Sequence, residues 1–239
     1  MPGRFHLNAT ELLQEALEEE DSELVAEAIR RGADVNAMWR DQTMLSAAVQ
    51  IGDIELIKLL LSAGADPNRK NDDGNTALTW CVTTEMTALL LDAGASVRAE
   101  LGKEEMVDYS SVHHAADNGD AARLQVLLER GDAKCMLDVF TDLGWAPLHH
   151  AANEGHCEAA QLLIDAGADP NLVYEDRIGD TAIYLAARGG HVEMVKLLLA
   201  SGADPALQIG LNSSALDVAR QSTNNPELLA SIEEALRRR

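Results

Sequence analysis

Histidine is the residue whose spacing in this chain most invites chemistry. Seven are present, and two of them, His114 in "SVHHAAD" and His150 in "PLHHAAN", hold equivalent places. Imidazoles so arranged could ligate a transition metal or shuttle protons. If each sits on a helix and the helices pack about 8–10 Å apart, the rings could approach. A zinc site would need further ligands, and Glu154 is the only ready candidate. A pH-sensitive contact between these rings and a partner's carboxylate is another expectation. Cys157 follows His156, but sequence neighbours on a helix do not face each other, so no thiolate couple forms there. The sequence has no Walker-type phosphate loop, no G-x-S-x-G elbow, no G-x-G-x-x-G and no EF-hand spacing of acids. The residue types therefore predict no enzyme, no metal and no cofactor. An enzyme that binds a metal or ligand through His114 and His150 stands as the rival from a different class.

The elements that must carry these residues recur along the chain. "AGADPN" occupies 63–68 and returns at 166–171, with "SGADPA" at 201–206. Aligned on the glycine after each leucine-rich run, Gly32, Gly64, Gly94, Gly131, Gly167 and Gly202 are spaced by 32, 30, 37, 36 and 35 residues. Upstream lies a second landmark, beginning at Thr43, Thr76, Ser110, Ala146, Thr181 and Ser214. Each period reads as two short antiparallel helices. A Thr or Ser caps the first, with Pro147 just inside one start. Paired alanines such as Ala115–Ala116 and Ala151–Ala152 permit close approach. In "VEMVKLLLASG", Val192, Val195, Leu198 and Leu199 recur at helical spacing. The closing glycine ends the second helix in the left-handed conformation. No period can bury its apolar face alone, so the periods must stack.

"APLHHAANEGHCEAAQLLIDAGADPN" and the period closely resemble the ankyrin repeat family, whose signature is T-P-L-H-x-A. The resemblance runs over roughly 9–239. It implies an all-α solenoid of about seven helix-turn-helix periods, N- and C-terminal caps included, with β-turn finger loops. Expected boundaries are a tail at 1–8 and one domain at 9–239, divided near 9–40, 41–73, 74–107, 108–143, 144–178, 179–211 and 212–239. The first period lacks the Thr-x-Leu signature, and the last has Ala235 where glycine would fall; both suit caps. The third is short: Thr76 to Gly94 is 18 residues against 21 from Thr43 to Gly64. Having lost its central glycine turn, it should have Thr84 cap its second helix directly, with Glu85 in the first turn. His113 and His149 fill the signature histidine slot and should bond across period boundaries.

Such a solenoid offers its fingers and the inner face of its first helices. The gaps from each glycine to the next cap are 11, 12, 16, 15, 14 and 12 residues, so the middle fingers are the longest, a common place for function. Five of the eight aromatics fall on these connections: Trp39, Tyr109, Phe140, Trp145 and Tyr174. Met106, Val107, Leu143 and Ile178 accompany them. Aromatics beside apolar residues on loops are candidate anchors, although they could equally fold back over neighbouring fingers. The fingers are also acidic: Asp72, Asp73, Glu104, Glu105, Asp108, Asp138, Asp142, Glu175, Asp176 and Asp180. On the first helices, helical spacing gathers His114, Asp117 and Asn118, then His150, Asn153 and Glu154, then Leu185 and Arg188. Trp80 and Ala47 take the same slot earlier.

Composition agrees. The chain has 239 residues, 46% hydrophobic and 25% charged, which suits a folded globular class. Aromatics at 3% leave a core of Leu, Ile, Val and Ala. No stretch approaches a membrane span, and "MPGRFHLNATELLQEALEEE" turns acidic where a signal peptide is apolar. Three cysteines without metal-type spacing read as reduced thiols, hence a cytoplasmic setting. A net charge of −21 repels nucleic acid and anionic lipid and attracts cationic partners, or serves solubility alone. The expected ligand is thus a protein with a basic, partly apolar surface, rather than nucleic acid, membrane or small molecule. The expected contact residues are Trp39, Trp80, Met106, Tyr109, His114, Asp117, Asp142, Leu143, Trp145, His150, Glu154, Tyr174, Ile178 and Arg188. The expected role is a non-enzymatic scaffold or adaptor. The alternative is an inhibitor of immunity or antitoxin type that blocks a basic enzyme such as a nuclease.

Overall fold

The computed structural model describes residues 7–102, 109–173, 180–207, 214–221 and 225–237. The chain divides into two compact blocks, Met1–Glu100 and Leu101–Arg239.

The N-terminal block begins with α1 (Ala9–Glu18) and α2 (Ser22–Arg30). Asn8 and Glu11 close a capping box on α1, and Asp21 caps α2. A hairpin of β1 (Met38–Trp39) and β2 (Gln42–Thr43) follows, in the register Met38↔Thr43 and Trp39↔Gln42. Then come α3 (Met44–Ile51), α4 (Ile54–Ser62), a 3-10 turn at Ala77–Trp80, α5 (Thr84–Asp92) and a 3-10 turn at Val97–Glu100. First helices stack on first helices and second on second: α1 meets α3, and α2 meets α4.

The C-terminal block repeats the plan with α6 (Ser111–Asp117), α7 (Ala121–Arg130), α8 (Pro147–Glu154), α9 (Cys157–Ala166), α10 (Ala182–Gly189), α11 (Val192–Ala200), α12 (Ala215–Gln221) and α13 (Pro226–Arg237). One row runs α6, α8, α10, α12; the other runs α7, α9, α11, α13. Leu124, Leu127, Leu163, Val195 and Leu198 are fully buried between the rows. The alanine pairs at 115–116, 151–152 and 186–187 are buried too. A methyl side chain lets neighbouring first helices approach, which explains why alanine and not leucine stands there.

Across both blocks the described residues form seven helical pairs, as the period predicts, with the third departing as far as its shortness implies. Its first element is the single 3-10 turn Ala77–Trp80, not an α-helix. The second is capped one residue earlier than expected: the Thr83 hydroxyl accepts from the Met86 amide at 3.2 Å, so Thr84 is already helical. Gly131 is a second correction. It is extended (φ −90°, ψ 179°) rather than left-handed, because the chain runs on into a 3-10 turn at Ala133–Met136.

An asparagine ladder ties successive helix exits together. The Asn36 amide donates to Gly64 O at 3.0 Å and accepts from Asp66 N at 2.7 Å. Asn68 does the same with Gly94 and Ser96, and Asn171 with Gly202 and Asp204. A carboxamide offers donor and acceptor side by side in one planar group. The last residue of "AGADPN" is therefore a fastener to the next period.

Candidate interaction surface

The fourth finger is a tight turn. Thr141 N–H donates to Trp145 O at 3.0 Å, and the Thr141 hydroxyl to the same oxygen at 3.2 Å. Gly144 takes φ +77° inside the turn, which glycine allows without strain. The turn holds Leu143 out at 65% exposure beside exposed Asp142. Trp145 is half-buried, and its ring meets His150 edge-on at 5.3 Å.

Beneath this finger the histidines have separate tasks. His113 Nε2–H donates to Val139 O at 3.0 Å, and its Nδ1 accepts the Ser110 hydroxyl at 2.7 Å. His149 Nε2–H donates to Asp180 O at 3.0 Å, and its Nδ1 accepts Ala146 N–H at 3.2 Å. Each imidazole thus pins the chain of the following finger to a helix start, as the signature slot implies. His156 and His191 lie against the turn glycines of the preceding pairs. A Cβ on Gly119 would come within 2.6 Å of the His156 ring, and one on Gly155 equally close to His191.

His150 differs from its expected place. It is 2% exposed and does not line the surface. Its Nδ1–H donates to Asp117 at 3.2 Å, and the Tyr109 hydroxyl lies 3.4 Å from the same nitrogen. The rings of Tyr109 and Trp145 lean on it from the fingers. Leu185 is likewise fully buried. The remaining stripe is outward: His114 and Asp117 are half-buried, while Asn118, Glu154 and Arg188 are exposed. Arg188 donates to Asn153 Oδ1 at 3.1 Å and lies 5.8 Å from the Tyr184 ring. Tyr184 is a half-buried neighbour that the sequence reading missed; it stands three residues after the Thr181 cap, in the slot where histidine would be structural.

Burial sets the charge of this surface. It pushes His113 down to about 3 and His149 to about 4. His114 falls to about 4, by burial first and by the Arg123 cation second, against the pull of Asp117. His150 is lowered by burial as well, partly offset by Asp117. Burial and the Asp117 carboxylate raise the Tyr109 hydroxyl, and burial raises Asp180. Near neutrality these imidazoles are uncharged, so Asp117, Asp142 and Glu154 set the sign of the surface.

In the N-terminal block, Trp39 is half-buried in the first hairpin. Trp80 closes the 3-10 turn, half-buried, its indole N–H enclosed without an acceptor among the described residues. It is not on an α-helical face, so the expected stripe is interrupted there. Ala47 is buried. Met106, Tyr174 and Ile178 lie outside the described residues, as do Val107, Glu104, Glu105, Asp108, Glu175 and Asp176. Among the described residues no three His, Cys, Asp or Glu side chains are disposed to hold a metal.

Antiparallel helix pairs stacked in two rows, with turns projecting between them, define a helical repeat protein. The chain belongs to the ankyrin repeat family: the family model for ankyrin repeats (three copies) matches residues 13–100 and 112–209. It is 39% identical over 92 residues to a putative ankyrin repeat-containing protein of Treponema pallidum, covering 36% of this chain and 31% of that one. The chain spans less than a third of the length of the curated relatives it matches. Among solved structures, it resembles the ankyrin repeat domain of Bcl-3, an IκB family member, at TM-score 0.75 and 25% identity over 93% of this chain and 97% of that. It also resembles the human ASB11 ankyrin repeat domain at TM-score 0.73 and 26% identity, over 92% and 96%. Ankyrin repeats are a general protein-interaction fold. No helix among the described residues is long and apolar enough to cross a membrane.

Proposed function

We propose that this chain is a non-enzymatic adaptor that binds a protein with a basic, partly apolar surface, using its fingers and the first-helix face. The fourth finger carries the reading. A tight turn presents exposed Leu143 beside Asp142, backed by Trp145. An apolar anchor on a fixed support, beside a carboxylate, suits a cationic partner with an apolar centre. The net charge of −21 extends the same preference outward. That charge also favours a second version, an inhibitor of immunity or antitoxin type that covers a basic enzyme such as a nuclease. Cys81, Cys135 and Cys157 form no disulfide among the described residues, which suits a cytoplasmic setting.

The test is capture from native lysate on the full chain, followed by calorimetry with the captured protein. Leu143→Asp should weaken binding by about 1–3 kcal/mol with unfolding unchanged, because Leu143 contributes little to the core. Trp145→Ala and Tyr109→Ala should each cost about 1–4 kcal/mol of binding, with some stability lost through their contacts on His150. Association should slow as salt rises. Capture that Leu143→Asp leaves intact, or binding indifferent to salt, overturns the reading.

A further inference from the structure

In the N-terminal block, α1, α3 and the first hairpin border a groove of about 580 Å³. Leu17 and Ile51 give it apolar lining, Trp39 an aromatic face, and Glu18 and Glu20 two carboxylates. It already holds one guanidinium. The Arg40 head group lies 4.7 Å from the Trp39 ring centre and pairs with the Glu18 carboxylate. Arg40 is itself 69% exposed. An ion pair so open to water contributes little, so this occupant is easily displaced.

The backbone points to the same groove. Among the described residues, the non-glycine positions with left-handed φ are Glu20 (55°), Arg40 (50°) and Asp41 (63°). Two of the three line the groove. Glu20 stands immediately before the Asp21 cap of α2; Gly52, Gly119, Gly155 and Gly190 hold that place in later pairs. Glycine there would be free of the backbone cost that glutamate bears. A costly residue kept on the lining of a groove that also holds an indole, a guanidinium and the Glu18 carboxylate marks a site rather than a turn.

We propose that this groove takes an arginine side chain from a basic segment of a protein partner, with Arg40 as its displaceable stand-in. Arginine fits better than lysine because the flat guanidinium can stack on indole while its fork bonds a carboxylate. The proposal rests on the basic-partner reading and names one place where it acts.

The experiment uses the full chain and two amidated octapeptides, one alternating arginine with glycine and one alternating lysine with glycine. The Trp39 indole N–H resonance, assigned with Trp39→Phe, reports binding. The arginine peptide should shift that resonance and bind at least threefold tighter than the lysine peptide. Arg40→Asn suits the left-handed hairpin and should tighten the arginine peptide at least threefold, the lysine peptide less. Arg40→Gly serves if the asparagine variant does not fold. Glu20→Gly should melt about 2 °C higher yet bind the arginine peptide at least threefold more weakly, a pairing that a purely structural role would not produce. Unchanged arginine-peptide affinity on vacating Arg40 overturns the proposal. So do equal affinities for both peptides with shifts confined to the C-terminal block, a result that leaves the basic-partner reading standing. Binding of neither peptide overturns both.

Discussion

The 3-10 turn Ala77–Trp80 and the helix α8 hold the same place in their pairs, yet they are fastened differently. In α8, His149 reaches from the third position after the cap to Asp180 O and accepts Ala146 N–H, closing the finger and the helix start with one ring. In the short pair, Thr79 stands at that position. Its hydroxyl donates to the buried Glu100 carboxylate at 2.8 Å. A hydroxyl spans far less than an imidazole, so the acceptor must come inward as a side chain instead of a backbone carbonyl. The contrast teaches that the joint between pairs, not helix length, is what the fold conserves physically. A pair can lose a helix and its glycine turn and still stack, provided something at that slot reaches the next finger.

That contrast can be broken most severely at His149. His149→Ala leaves a cavity and an unmatched Asp180 carbonyl, and should cost about 2–4 kcal/mol in urea unfolding. The same residue gives a pH signature. A histidine held below its unfolded value of about 6.5 contributes stability that is complete above that pH and drains away as pH falls toward the folded value. For His149 the window runs from about 6.5 down to about 4. Wild type minus His149→Gln should show a slope of up to about 1.4 kcal/mol per pH unit there. A flat difference would mean the ring is not buried neutral. Thr79→Val should cost less, about 1.5–3 kcal/mol, and should speed amide exchange in α5. Exchange in that pair no faster than in its neighbours would show that the shortened joint holds as firmly as the imidazole one. The smallest effect belongs to Asp138. It accepts from Asp169 N at 3.3 Å, the acceptor half of the asparagine bridge. Asp138→Asn restores a donor that can reach toward Gly167 O, and should add about 0.5–1 kcal/mol.

The helix pairs were legible because their punctuation is local: a capping hydroxyl at Thr43 or Thr181, a left-handed glycine at Gly64 or Gly167. The bonding of His113 and His149 was legible for the same reason, since the slot repeats. The burial of His150 was not. It depends on Tyr109 and Trp145 folding back from fingers, and no helical spacing encodes that. His150 and His114 look identical along the chain, yet one is enclosed and the other half-open. The ladder asparagines were visible as letters, but their partners lie 26 to 33 residues away. Glu20 escaped notice because a glutamate in an acidic run looks ordinary until its φ is seen.

The asparagine bridges have a consequence for how the molecule comes apart. Every one spans about a single period, so cohesion is relayed from neighbour to neighbour and no bond in the ladder belongs to the whole chain. Assembly can start wherever two adjacent pairs first lock, and it can proceed outward without waiting for distant segments to meet. Pulled from its ends, such a chain would peel one pair at a time, and the first to yield would be whichever joint lacks its carboxamide.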